Sequence, residues 1–102
     1  MLYHPKLYAI RPADHRDAEA LRHLAELRSQ RPLSGRALVG EIDGEVAAAV
    51  SLTDHGAVAD PRRATDSLLA HLRVRARGVR AAEAMPSLRE RMRAAVSPGP
   101  AA

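Results

Sequence analysis

The dipeptide Asp43-Gly44 constrains this chain more than any other feature. It stands between two apolar runs, Ala37–Ile42 and Glu45–Leu52. A type I′ turn needs positive φ at both central residues, a conformation that glycine adopts freely and aspartate tolerates. The stretch therefore predicts a β-hairpin. Asp54-His55-Gly56 then predicts a second turn, with a third short strand over Ala57–Ala59. Val46-Ala-Ala-Ala-Val50 is apolar at every position rather than at alternate ones, which predicts burial on both faces or close approach by another backbone.

Helices are expected on either side of this meander. Leu7–Arg11 reads as a short strand ahead of Pro12. Asp14 is a natural N-cap, and Asp17, three residues on, can reach back to complete a shortened capping box. Ala18, Leu21, Leu24, Ala25 and Leu27 then recur at helical spacing, and the helix should stop near Ser29–Arg31, before Pro32. Thr65 predicts the cap of a second helix, with Asp66 in its first turn and Leu68, Leu69, Leu72, Ala76 and Val79 on its apolar face. Gly78 either ends this helix or weakens it. The fold class is accordingly α+β: a small antiparallel sheet of three to four strands with two or three helices. Residues 1–6 are expected to form a flexible arm and 7–85 the domain. A short helix from Pro86 and a disordered tail are expected over 86–102.

Composition limits what such a domain can do. The 102 residues contain no Cys, Phe or Trp, so neither a disulfide nor a thiolate nucleophile is available, and the core must come from Leu, Val, Ile and Ala. The first residues lack the apolar core of a signal peptide, and no segment approaches a membrane span, so a cytoplasmic location is expected. Residues 1–52 balance seven basic against seven acidic side chains, whereas residues 53–102 carry nine against five. In that half, Arg62, Arg63, Arg73, Arg77 and Arg80 are the candidate contacts to phosphate or nucleic acid. No aromatics interleave with them to stack on bases. The five histidines show no metal-ligand spacing, so no metal site is expected. Ser51, Asp54 and His55 permit a Ser/His/Asp drawing, but turn chemistry accounts for Asp54 and Gly56 without it. Glu41 and Glu45 flank the hairpin turn and are expected in solvent.

Ile10-Arg11-Pro12-Ala13, the capped helix with Asp17-Ala18 near its start, and Leu38-Val-Gly-Glu-Ile-Asp-Gly-Glu-Val-Ala48 occur in a familiar order. Over roughly residues 8 to 60 they resemble the opening half of the GCN5-related N-acetyltransferase (GNAT) family. That resemblance implies an acetyl-CoA site on the fourth strand and on the loop after it, of pattern Arg/Gln-x-x-Gly-x-Gly/Ala. The nearest match is Arg75-Ala-Arg-Gly78-Val79-Arg80, where Arg80 replaces the final small residue. Arg75, Gly78 and Val79 would be the cofactor contacts if acetyl-CoA binds. That requires Gly78 at the start of a helix and Leu68–Val74 as a strand, whereas the residue pattern there is helical. The expectation is a truncated, non-catalytic GNAT-like half-domain without cofactor or catalytic residue. It would serve as an interaction or dimerisation module, pairing as a homodimer or with another protein through an exposed edge at Val46–Leu52 or Ala57–Ala59. The alternatives are an acetyl-CoA-dependent N-acetyltransferase and an arginine-mediated nucleic-acid binder.

Overall fold

A computed structural model describes residues 7–85. The arm expected over 1–6 and the helix and tail expected over 86–102 lie outside them. Strand β1 (Tyr8–Pro12) leads through a single 3-10 turn (His15–Asp17) into helix α1 (Ala18–Leu27). Strands β2 (Ala37–Ile42), β3 (Glu45–Ser51) and β4 (Ala57–Ala59) follow, and then helix α2 (Asp66–Ala84). The four strands form one antiparallel sheet in the order β1-β2-β3-β4. The α+β expectation holds, with four strands and two helices.

The turn chemistry is as the sequence implies. Asp43 and Gly44 have φ of 52° and 86°, the all-positive pair that a type I′ hairpin requires. At the first helix, the Asp14 carboxylate accepts from Arg16 N and Asp17 Oδ2 accepts from Asp14 N at 2.8 Å, completing the capping box. The helix leaves through Ser29 at φ 51°, with Ser29 N donating to Glu26 O and Gln30 N to Ala25 O. That pair of bonds is a Schellman closure with serine where glycine is usual.

The sheet is buried on both sides. Leu38, Ile42, Ala48 and Val50 face α2 and pack with Leu68, Leu72 and Ala76. Val39, Ala49 and Val58 face α1 and pack with Leu24. The pairing slips between Gly40 and Glu41, so Ala47 is an extra residue in β3. This bulge places Ala47 and Ala48 together in the cluster under α2, which breaks the period of two. Small side chains along β3 therefore let helices approach from both sides. Leu68 and Leu72 are fully buried, and each contributes about 1.5–3 kcal/mol of apolar burial.

Several boundaries differ from the sequence reading. β1 includes Pro12, because alternation puts the Pro12 nitrogen on the outer side of an edge strand, where no ladder donor is missing. β3 ends at Ser51 rather than Leu52. Thr65 stands at the N-cap of α2, but its side chain makes no capping bond. Val46–Leu52 is not an exposed edge, since β3 is paired on both sides, by β2 and by β4. The edges are β1 and β4.

Candidate functional site

α2 divides the five candidate arginines into two groups. Arg62 and Arg63 lie before its first turn and are engaged with acids. Arg62 binds Asp60 through Nε at 3.0 Å and Nη2 at 3.1 Å, and Arg63 reaches Glu45 at 3.3 Å. The Asp60 carboxyl is lowered from its ordinary range, first by the Arg62 hydrogen bond. Arg73, Arg77 and Arg80 lie in the C-terminal half of α2, beside the β3–β4 turn. Thr65 and Arg80 are separated by roughly 22 Å of helix at 1.5 Å per residue, so the two groups do not make one patch.

The second group lines an open cleft of about 340 Å³. Val50, Ala57 and Ala76 give it an apolar floor, and Ser51, Asp54 and His55 supply the facing turn. The turn is held from within. Ser51 Oγ accepts from Thr53 N at 3.0 Å and Asp54 N at 3.1 Å and also meets Thr53 Oγ1 at 3.0 Å. Asp54 Oδ1 accepts from Gly56 N at 2.6 Å. Ser51 is buried, and its oxygen is spent on the turn, with no bond to His55. This is turn chemistry rather than an activated nucleophile. Arg80 Nη1 is directed at Ser51 O (3.3 Å) and Asp54 O (3.4 Å), which ties the helix to the turn. Arg73 and Arg77 have no ion-pair partner among the described residues.

Arg75, Gly78 and Val79 lie within α2. A residue inside a helix spends its N–H on the carbonyl four residues back, so this segment offers no free N–H groups to a phosphate. The fourth strand is Ala57–Ala59, not Leu68–Val74, and the junction between it and α2 is Asp60–Thr65, which contains no glycine. The buried Asp60 carboxylate sits at that junction and accepts from Arg62 N at 2.9 Å. Among the described residues no group of three His, Asp or Glu side chains is placed to hold a metal. No helix among them is long and apolar enough to cross a membrane.

The sequence reading did not find the pairing of Arg11 with Asp17. Two bonds of 2.7 Å join the Arg11 guanidinium on β1 to the buried Asp17 carboxylate, and Glu41 lies 3.7 Å from Arg11 Nε. Glu41 is thus a partner on the sheet face rather than a purely solvated side chain. The motif Ile10-Arg11-Pro12-Ala13 supplied the signal, because it sets an arginine on the face that meets the capping aspartate. No protein-family model, curated protein or solved structure matches the chain.

Proposed function

We propose that this domain is a GNAT-related, non-catalytic interaction module that self-associates through the outer edge of β1. The order strand, helix, three antiparallel strands, helix supports the family relation. The glycine-free junction after the fourth strand supports the absence of a pyrophosphate loop.

The observation that carries the proposal is the β1 edge. Ala13 N donates to Ala37 O and Leu7 O accepts from Asp43 N, so the odd residues of β1 face β2. The even ones, Tyr8 and Ile10, direct their N–H and C=O groups outward, with no backbone partner among the described residues. Exposed Leu7 and Tyr8, with Val74 of α2, add apolar surface. A second copy suits this edge, because antiparallel pairing of Tyr8 with Ile10 of the partner satisfies both copies equally around a two-fold axis at Ala9. Pro12 limits pairing beyond it.

Sedimentation equilibrium of the full chain tests the reading, with a dimer expected at micromolar concentration. Tyr8→Pro removes one outward N–H without touching the β1–β2 ladder and should weaken association at least tenfold. A monodisperse monomer, or a dimer indifferent to Tyr8→Pro, overturns the edge. Amide NMR titration with acetyl-CoA should shift no residue of the Asp60–Thr65 junction, where the family's pyrophosphate loop would lie, and saturable shifts there would overturn the non-catalytic reading.

A further inference from the structure

We infer that the cleft between the C-terminal half of α2 and the β3–β4 turn is a binding site for a small organic phosphate. The inference does not rest on the β1 edge or on the family relation. Arg73, Arg77 and Arg80 recur at i, i+4 and i+7, which sets three guanidinium groups along one side of the cleft over about 10 Å of helix. Arg80 is already directed at two turn carbonyls through one nitrogen, which restrains the guanidinium while leaving its other N–H groups for a ligand. Arg73 and Arg77 have no carboxylate within ion-pair distance among the described residues. Three arginines thus face one acid, Asp54, and an Asp54 oxygen is occupied by Gly56 N–H.

Planar guanidinium groups bind phosphate oxygens in pairs and are the side chains best matched to that geometry. The floor of Val50, Ala57 and Ala76 suits the carbon body of an organic ligand, and about 340 Å³ falls within the range of small-molecule sites. A nucleic-acid strand fits less well. The basic surface does not continue along α2, since no arginine lies between Asp66 and Leu72, and Arg62 and Arg63 beyond them are paired with Asp60 and Glu45. No Phe, Tyr or Trp lines the cleft to stack on successive bases.

Amide NMR titration of the full chain with inorganic pyrophosphate tests the site. Saturable shifts are expected at Ser51–Ala57 and Ala76–Arg80. Arg73→Gln and Arg77→Gln should each weaken the apparent affinity at least tenfold, with Arg22→Gln on α1 as an unaffected control. The spectra of the variants report directly that the fold is kept. Shifts that spread without saturation over arginines of both helices overturn the inference. So does an unchanged affinity in Arg77→Gln. A single-stranded oligonucleotide that binds these residues with steep salt dependence while pyrophosphate does not would replace the small ligand with a nucleic-acid interface.

Discussion

Leu68 closes on Gly40 so tightly that a Cβ at position 40 would lie 2.7 Å from Leu68 Cδ1 and 2.9 Å from its Cγ. This contact sets the distance between α2 and the sheet. Gly40→Ala should destabilise the domain by about 1–3 kcal/mol, because the obstructing branch belongs to a fully buried leucine with nowhere to move. Urea unfolding followed by circular dichroism checks this, and an unchanged midpoint would mean that α2 can lift off the sheet freely.

Asp17 ties β1 to α1 and makes stability depend on acid. Its carboxyl is drawn down to about 2, first by the Arg11 hydrogen bond and also by Asp14 N–H, against the opposing effect of burial. The folded chain therefore releases this proton more readily than the unfolded one. The stabilisation is present above about pH 4 and is lost as pH falls from there towards 2. Asp17→Asn should cost about 1–2 kcal/mol at neutral pH, held down by the partial exposure of Arg11, and should flatten the pH dependence below 4. Thermal melts of both proteins between pH 2 and 7 check the difference.

Ser29 holds a left-handed conformation at the end of α1, with φ of 51°. Glycine adopts this conformation without the Cβ penalty. Ser29→Gly should stabilise the domain by about 0.5–1 kcal/mol, after allowing for the extra freedom glycine gives the unfolded chain. A lower melting temperature would show that the serine hydroxyl contributes more than the strain costs.

Gly78 offers a stability test of the helix assignment. It lies inside α2, and a Cβ there would meet nothing within 4 Å. Gly78→Ala should therefore raise stability by about 0.5–1 kcal/mol and increase helix content. A glycine that shaped a phosphate loop would respond in the opposite direction, with loss of structure.

Much of the architecture was legible because its signals are local. Asp43-Gly44 specifies its own turn through backbone sterics, and Asp14 with Asp17 specifies a helix start through bonds spanning three residues. The apolar spacing of Leu68, Leu72 and Ala76 likewise marks the buried face of α2 directly, because 3.6 residues bring the chain back to one side. What escaped reading depends on how separate elements meet, whether six residues apart, as with Arg11 on β1 and Asp17 before α1, or farther. Nothing near Ala47 announces a bulge, since the slip exists only relative to Gly40 and Glu41 on β2.

The basic cleft shows the same division. Helical periodicity alone puts Arg73, Arg77 and Arg80 on one helix face, with no need of tertiary information. Asp54-His55-Gly56 likewise marks its own turn. That this face meets that turn, and that Arg63 reaches Glu45, rests on tertiary packing, whereas the Arg62–Asp60 pair is local, two residues apart. The direction in which α2 crosses the sheet decides it. That direction follows from Leu68 settling over Gly40 and Ala76 packing in the same cluster as Val50, contacts between residues more than twenty positions apart.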